Sequence, residues 1–420
     1  MHIINIWELF NRDNWGLIVF SGLIVFLVVI LPSLGGKKDV TRISESKKRA
    51  MYPKIPNELL SSKAEGLIVG REGNKYIRIP VERRNIMNSV IIGSPGSGKS
   101  AGPFLTTLIP NFMQKNPPLT CFVLDIKPEL ERKSIKKSDN VNVKVVDFTD
   151  RQSCGWNPYF ALSEHSSEDE KMRVFDGITR ALIVSSNPRD AFFVNNARTV
   201  AKGLLLYHYN KGEGFIDSIN SIVSSNIMEH INEVLSDEKY CSKGSMVYSI
   251  LKKYGDKDSE AFQDIELTLM EHLNIFLNKD VQYHLRDNPA KASPDDLNNG
   301  TSVFVCLTLF LLDEFGDILR LITYQVCSAM QSRGENWKSP VLMLLDEIAR
   351  IGKIDSLPAL LSVGRSAGIS VNMAFQDMSQ LESIYSKEGA RTIFNLCEIT
   401  CILSCKDSET AKMISGIAGE

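Results

Sequence analysis

The stretch VIIGSPGSGKSAGP, Val90 to Pro103, determines how the rest of the chain is interpreted. Its centre fits the pattern G-x-x-x-x-G-K-[ST], in which a glycine-rich turn between a strand and a helix directs backbone N–H groups at a phosphate. The lysine of this pattern reaches the β- and γ-phosphates, and the next hydroxyl binds Mg²⁺. The sequence therefore predicts a site for ATP and Mg²⁺ at eight consecutive residues: Gly93, Ser94, Pro95, Gly96, Ser97, Gly98, Lys99 and Ser100.

Apolar runs typical of buried strands surround this loop, and helical periodicity fills most of the intervals between them. The expected strands are Ser89 to Ile92, Leu119 to Ile126, Val141 to Phe148, Ser302 to Phe310, Val341 to Asp346, Ile369 to Phe375 and Glu398 to Ser404. Strands that alternate with helices favour an α/β fold with a mostly parallel sheet and helices on both faces. An earlier segment, Leu67 to Pro80, carries a hairpin signal.

The alternation stops between residues 160 and 299, where apolar residues such as Ala197, Val200 and Leu204 recur at helical spacing. This periodicity indicates a mostly helical insertion, but it does not separate a binding domain from simple packing decoration. We therefore divide the chain into three parts. They are a membrane anchor and basic linker over residues 1–50, a nucleotide-binding domain over residues 51–159 plus 300–420, and an all-α insertion domain over residues 160–299.

The segment from Gly16 to Leu34 contains no charged residue. As a helix it would be about 28 Å long, close to the hydrocarbon thickness of a bilayer, which favours a single membrane span. A cleaved signal peptide is the alternative, although the apolar core is long for one. Six basic residues follow the segment and predict a cytoplasmic location for the rest of the chain, with the N-terminus outside and with affinity for anionic lipid: Lys37, Lys38, Arg42, Lys47, Lys48 and Arg49.

The composition of the chain limits which classes of protein and which kinds of site it can contain. The 420 residues are 43% hydrophobic with a formal net charge of −2, which is typical of a folded globular chain and gives no overall sign of nucleic-acid binding. The closely spaced Cys397, Cys401 and Cys405 suggest a metal site. However, strand positions four apart lie about 13 Å from each other, too far to share zinc, so we interpret these thiols as core residues.

A phosphate loop requires a second carboxylate at the end of a neighbouring strand, and VLMLLDEIARIG, Val341 to Gly352, supplies one. Asp346 is the candidate for the Mg²⁺ shell, and Glu347 is the candidate for orienting the attacking water. Gln376 follows the next strand and would contact the γ-phosphate or that water. Arg365 precedes the same strand and is either an arginine finger that reaches a neighbouring subunit or a solvated helix-end arginine.

Taken together, GSPGSGKS, VLDIKPEL, GWNP, the run from LLDEIARIG to FQDMSQLE, and SCKDSETAKMIS resemble the coupling proteins of bacterial type IV secretion, the TraG/VirD-type conjugative ATPases. The resemblance extends from about Ala64 to the end of the chain. FFVNNARTVAKGLLLY, Phe192 to Tyr207, is similar to the start of the all-α domain of that family, which implies substrate recognition by the insertion.

The resemblance implies a RecA-like motor that forms a homo-hexameric ring, binds ATP between subunits and links a relaxase with single-stranded DNA to secretion-channel proteins. It implies nucleotide and Mg²⁺ binding by Lys99 and Ser100, the acidic motif at Asp346 and Glu347, sensing by Gln376 and a finger at Arg365. It also marks Asp125, for which the residues themselves suggest no chemistry. Family members usually have two membrane helices and a longer motor domain, so we expect a truncated protein, a fragment or a single-span form.

Three functions remain open from the sequence. The first is a membrane-anchored ATPase of DNA and protein transfer in the bacterial cell membrane. The second is a HerA-class or septal double-stranded DNA translocase, against which the long helical insertion argues. The third is an ATP-binding substrate receptor with little turnover. The intact Lys99, Asp346, Glu347 and Gln376 argue against it.

Overall fold

The computed structural model describes residues 55–63, 65–83, 85–114, 117–135, 142–184, 188–255 and 260–418. The predicted membrane span and the basic linker, residues 1–50, therefore lie outside the described residues. Within the described ranges, no helix is both long enough and apolar enough to cross a bilayer.

The strands of the described chain are short and spread over its whole length. They are β1 (Leu60–Ser61), β2 (Leu67–Glu72), β3 (Lys75–Ile79), β4 (Ser89–Ile92), β5 (Thr120–Asp125), β6 (Val143–Asp147), β7 (Gly155–Trp156), β8 (Lys291–Ala292), β9 (Ser302–Cys306), β10 (Val341–Leu345), β11 (Ile369–Phe375) and β12 (Ile399–Ile402).

The α-helices are concentrated between β7 and β8 and after β9. They are α1 (Leu105–Phe112), α2 (Glu129–Ser134), α3 (Glu168–Leu182), α4 (Ala191–Asn210), α5 (Phe215–Val223), α6 (Ile227–Ser236), α7 (Met246–Leu251), α8 (Glu260–Leu273), α9 (Lys279–Gln282), α10 (Pro294–Asn298), α11 (Leu312–Gln331), α12 (Leu357–Val363), α13 (Met378–Asn395) and α14 (Ser408–Ala418). Short 3-10 turns occur at Asn57–Leu59, Pro188–Asp190, Asn274–Leu277, Leu309–Leu311 and Ile348–Ile351, and π-helical turns at Ser100–Phe104 and Tyr283–Asp287.

Seven strands form one sheet in the order β12-β4-β11-β10-β5-β9-β6, and every neighbouring pair is parallel. The predicted α/β fold with a mostly parallel sheet is confirmed. The observed strands end one to four residues earlier or start one or two residues later than several of the predicted ones. The largest difference follows β9, where the chain leaves the sheet after Cys306 and turns at Leu309–Leu311.

The sheet has a hydrophobic core on each face because successive strand residues point in opposite directions. In β5, Phe122 and Leu124 join one buried cluster, whereas Cys121 and Val123 join the other. The first cluster extends into helices α3 to α8 and α11 to α13. The second cluster includes α1 and the hairpin of β2 and β3, which are antiparallel as the sequence predicts. Both faces are thus covered, as expected for a parallel sheet.

The segment between β6 and β9 is mostly helical in the structure. Its two ends are joined by β7 and β8, which pair as a separate two-stranded parallel sheet. Trp156 in β7 is fully buried, and its indole N–H donates to Oε1 of Gln325 in α11 at 2.8 Å. The division of the chain into domains at residues 160 and 299 stays a prediction.

The cysteines near the C-terminus do not form a cluster. Cys397 packs in one hydrophobic core and Cys401 in the other, on opposite faces of the sheet. β12 ends at Ile402, so Cys405 lies beyond the strand rather than on it as the alternation predicts. Across the described part of the chain, no three His, Cys, Asp or Glu side chains lie close enough together to hold an ion by themselves.

Candidate nucleotide site

The glycine loop connects β4 to the π-helical turn at Ser100–Phe104, which leads into α1. Gly96 and Gly98 have φ angles of +78° and +89°, which residues with a Cβ rarely adopt. A Cβ on Gly93 would lie 2.3 Å from Ser97 Oγ. The loop therefore requires glycine at these three positions, and the predicted arrangement of strand, glycine loop and helix is present.

Lys99 lies inside this loop and is only 5% exposed. Its Nζ donates to the carbonyl oxygens of Gly93 at 2.5 Å and Ser94 at 3.5 Å. Burial lowers the pKa of Lys99, and the negative charges of Glu347 and Asp346 oppose that shift. The ammonium group is thus directed into the loop and faces two carboxylates.

Ser100 and Asp346 are 246 residues apart in sequence, yet Ser100 Oγ donates to Asp346 Oδ2 at 2.5 Å. Asp346 follows β10 and is 2% exposed, and its Oδ1 is buried without a hydrogen-bond partner. Burial raises the pKa of Asp346 to about 6, and the charges of Glu347 and Asp125 add to the increase. A hydroxyl beside a carboxylate with an unused oxygen suits a hard cation such as Mg²⁺, which prefers oxygen ligands.

Glu347 has a backbone conformation that is unusual for its residue type, with φ 47° and ψ 35°. Its Oε1 is 3.1 Å from Lys127 Nζ, and its Oε2 is 3.2 Å from Arg350 Nε. Burial alone would raise the pKa of Glu347, but the contacts with Lys127 and Arg350 outweigh it and lower the pKa. Glu347 is therefore an ionised carboxylate beside the Ser100 and Asp346 pair.

Gln376 follows β11, and β11 lies between β4 and β10 in the sheet. The carboxyl ends of parallel strands meet at one edge, so Gln376 lies between the glycine loop and Asp346. Its backbone N–H donates to Gln380 Oε1 at 2.9 Å, which fixes the turn into α13. The structure thus brings Gln376 to the same edge as Lys99, Ser100, Asp346 and Glu347.

Arg365 lies at the opposite edge of the sheet, where β4, β11 and β12 begin. Its Nε donates to the carbonyl oxygen of Ile86 at 3.0 Å, and its guanidinium pairs with Glu398. The Arg365 side chain is 55% exposed. The structure does not bring Arg365 to the glycine loop of its own chain, so a role in phosphate chemistry is possible only toward another subunit and stays a prediction.

Three further residues lie at the site: the sequence assigns no role to Lys127 or Ser404, and the resemblance marks Asp125 without a role. Lys127 follows the buried strand β5, and this position at the carboxyl edge was the available signal. Ser404 follows β12 and holds the glycine loop, because Ser94 N–H donates to Ser404 Oγ at 2.9 Å. Asp125 caps α2, since its carboxylate accepts the N–H groups of Glu129 at 3.3 Å and Glu131 at 2.9 Å.

Known proteins with similar sequences and folds were found by comparison. VirD4, the type IV secretion system-coupling protein of Bartonella henselae, is 23% identical over 334 residues, which cover 75% of this chain and 50% of that protein. TraG, a conjugal transfer protein of Agrobacterium fabrum, is 31% identical over 130 residues, which cover 30% of this chain and 20% of TraG. The chain spans about half the length of the VirD4 relatives that it matches.

Solved structures of the coupling protein TrwB have the same fold. The unbound form of a bacterial conjugative coupling protein, TrwBdeltaN70, aligns with a TM-score of 0.66 at 16% identity and covers 89% of this chain and 79% of its own. TrwB in complex with ADP and Mg²⁺ aligns with a TM-score of 0.66 at 17% identity and covers 90% of this chain and 81% of its own. The family model described as type IV secretory system, conjugative DNA transfer, matches residues 54–420. The chain therefore belongs to the family of type IV secretory proteins of conjugative DNA transfer, that of the coupling proteins.

Proposed function

We propose that this chain is a membrane-anchored ATPase that couples relaxase-bound single-stranded DNA, or protein substrates, to a type IV secretion channel. One observation gives the main support for the proposed ATP hydrolysis. Ser100 and Asp346, from two distant motifs, meet at 2.5 Å, with an unpaired buried Asp346 oxygen beside them. Mg²⁺ bound to a phosphate requires oxygen donors of this kind. The membership of the chain in the conjugative DNA transfer family supports DNA as part of the transported substrate.

The residues at the carboxyl edge have distinct parts in the proposed reaction. The glycine loop and Lys99 bind the triphosphate, while Ser100 and Asp346 hold Mg²⁺. Bound Mg²⁺ supplies charge neutralisation on the phosphoryl group that is transferred. Glu347 orients a water and accepts its proton as the water oxygen bonds to the γ-phosphorus and ADP leaves. Gln376 contacts the γ-phosphate or the water from the intervening strand.

Structures of relatives support the choice of nucleotide. TrwB has been solved in complex with ADP and Mg²⁺ and with the non-hydrolysable ATP analogue ADPNP. It has also been solved with the GTP analogue GDPNP, so selectivity for adenine is part of the proposal to be measured. We propose ATP as the substrate of this chain and Mg²⁺ as its cofactor.

The assembly and the location are also proposed. We place the chain in the bacterial cytoplasmic membrane through residues 16–34, with the N-terminus outside, the motor in the cytoplasm and the basic linker on anionic lipid. We propose a homo-hexamer in which the exposed Arg365 of one subunit reaches the phosphates of the next. The cargo enters by way of the helical segment and passes to the secretion-channel proteins.

The proposed function is tested by ATP hydrolysis of the full chain in detergent, over a range of protein concentrations and with or without a single-stranded oligonucleotide of mixed sequence. We expect turnover per subunit to rise with protein concentration and with added DNA, because the site is completed by a neighbour. Hydrolysis of GTP, measured in parallel, reports nucleotide selectivity.

The outcomes separate the competing functions. Tight ATP binding without turnover under every condition would favour an ATP-binding receptor over a motor. Stimulation by double-stranded but not by single-stranded DNA would favour a duplex translocase. A chain that binds no nucleotide in the presence of Mg²⁺ contradicts the proposal as a whole.

A further inference from the structure

Glu347 is more buried, and makes more contacts with cations, than a solvent-exposed carboxylate would. Its side chain is 7% exposed, and each carboxylate oxygen contacts a cation from a different direction. Its backbone is in the left-handed region, which is unfavourable for a residue with a Cβ and is common at functional sites. Such a conformation persists only where the surrounding contacts fix it. The contacts that hold the Glu347 carboxylate are those with Lys127 and Arg350.

Arg350 alone cannot fix the Glu347 carboxylate relative to the sheet. It lies three residues after Glu347, in the 3-10 turn that directly follows Glu347, so it moves with Glu347. Lys127 is on a different element, directly beyond the end of β5. Since β5 pairs with β10, the Lys127 contact ties Glu347 to the neighbouring strand.

The backbone at Lys127 is itself held by a buried carboxylate. Asp125 is fully buried at the end of β5, and it accepts the N–H groups of Glu129 and Glu131 at the start of α2. These two bonds close the turn from Asp125 to Glu129, which contains Lys127. The carbonyl of Asp125 accepts the N–H of Leu307 at 3.1 Å, which connects the same residue to the end of β9. Asp125 therefore fixes the turn on which Lys127 lies.

We propose that Lys127, anchored by Asp125, is the positioning residue for Glu347 in ATP hydrolysis. This inference rests on the proposed function and assigns a role to two residues that the phosphate and Mg²⁺ contacts do not use. Lys127 compensates the charge of a buried carboxylate next to Asp346 and sets the direction of that carboxylate from the neighbouring strand. Loss of Lys127 should leave the glycine loop, and hence nucleotide binding, unchanged.

The test compares the full chain with Lys127→Met, Lys127→Arg and Lys133→Met in Mg²⁺ and ATP. We expect Lys127→Met to lower kcat by about tenfold or more, because misplacement of a catalytic group by about 1 Å costs up to a hundredfold. The Kd for ATP should stay within twofold, and Lys127→Arg should restore most of the kcat. Lys133→Met is the matched control, since Lys133 forms an exposed ion pair with Glu129 in α2 and should retain wild-type kcat.

A second measurement needs no nucleotide. The thermal midpoints of Lys127→Met, Glu347→Gln and the double variant form a cycle that reports the contact directly. We expect Lys127→Met to lower the midpoint of the wild-type chain and to have less than half that effect in the Glu347→Gln background. If Lys127→Met does not fold, Lys127→Gln replaces it in both measurements.

The possible failures are distinguishable. A wild-type chain without turnover overturns the proposed function and the positioning role together. Wild-type turnover with an unchanged kcat in Lys127→Met overturns only the positioning role. A lowered kcat that is accompanied by an equally weakened ATP affinity, or that Lys127→Arg does not restore, indicates a structural effect and also overturns it.

Discussion

At the scale of single residues, the proposed function assigns nucleotide binding and hydrolysis to different side chains. Lys99 and Ser100 belong to one continuous loop whose glycines allow the backbone to curl around a phosphate. Asp346 and Glu347 are adjacent in sequence, but their environments differ: burial raises the pKa of Asp346 to about 6, whereas cationic contacts lower the pKa of Glu347. Two neighbouring carboxylates are thereby suited to different tasks.

Lys99→Ala should abolish nucleotide binding. The variant removes a buried ammonium group directed into the loop, and charge-assisted hydrogen bonds contribute about 1.5–3 kcal/mol each, so we expect the affinity for ATP to fall by roughly a hundredfold or more. The measurement is equilibrium binding of ATP with Mg²⁺. Lys133→Ala serves as the exposed control, and near wild-type affinity in Lys99→Ala would contradict the assignment.

Glu347→Gln should bind ATP as the wild-type chain does and lose turnover by about 10²–10⁴-fold, the usual contribution of a positioned base. The amide keeps the size of the side chain but cannot accept the proton of the water. Single-turnover hydrolysis at saturating ATP measures the loss. If Glu347→Gln keeps more than a tenth of wild-type turnover, another group performs this step.

At the scale of elements, most strands could be predicted from apolar runs, and β11 matches its prediction residue for residue. The order of strands could not be predicted, because periodicity contains no information on which strands pair. β9 lies between β5 and β6 although the helical segment separates it from both along the chain. The contact between Lys127 and Glu347, which are 220 residues apart, could not be predicted for the same reason.

The helical segment contains a buried pair of histidines that predicts a response to acid. Nε2 of His208 in α4 is 2.9 Å from Nε2 of His230 in α6, and Nδ1 of His208 contacts Glu213 at 2.9 Å. Burial lowers the pKa of His208 to about 4, despite the opposing charge of Glu213, and also lowers the pKa of His230. The folded chain therefore holds these rings neutral, while Lys211 and Glu233 are the other charged groups nearby.

Because an unfolded histidine titrates near pH 6.5, the unfolded state binds more protons than the folded state between pH 6.5 and about 4. The contribution of His208 to the free energy of unfolding is complete above pH 6.5 and is lost as the pH falls toward 4. Urea denaturation at several pH values should show a smaller acid-induced loss in His208→Gln than in the wild-type chain. His165→Gln, at an exposed position, should follow the wild-type curve.

The turn before β11 should tolerate only glycine at Gly368. Its φ is +76°, and a Cβ would lie 2.4 Å from the Trp337 ring. We expect Gly368→Ala to lower the free energy of unfolding by about 1–3 kcal/mol. Gly316→Ala in α11 is the matched control, since its Cβ would meet only Leu312 at 4.0 Å and alanine favours a helix by about 1 kcal/mol. Equal effects of the two variants would contradict this interpretation.

At the scale of the whole molecule, the sheet separates two sets of charged groups. The carboxyl edge contains the glycine loop, Asp346, Glu347 and Gln376, whereas Arg365 is at the amino edge with Glu398. Glu398 also accepts the N–H of Asn88 at 2.8 Å, directly before β4. If the amino edge of one subunit packs against the carboxyl edge of the next, each site is complete only in an assembly.

A mixing experiment tests this arrangement. Arg365→Ala and Lys99→Ala should each be inactive alone, with a loss of about 10³-fold or more for a finger, yet a mixture of the two should regain turnover. In the mixture, an Arg365→Ala subunit has an intact loop and receives Arg365 from its Lys99→Ala neighbour. Glu398→Gln keeps Arg365 and should retain turnover. Wild-type kcat in an assembled Arg365→Ala ring would exclude the finger.

The position of β4 has a consequence for the order in which the protein is made. β4 pairs with β11 and β12, and both of these neighbours follow the glycine loop by roughly 300 residues. At about 5–20 residues per second, a ribosome needs on the order of 15–60 s to produce them after β4 has emerged. During this interval the apolar strand Ser89–Ile92 has no partner in the sheet. Nucleotide can therefore stabilise the nascent protein only after β11 and β12 have been synthesised.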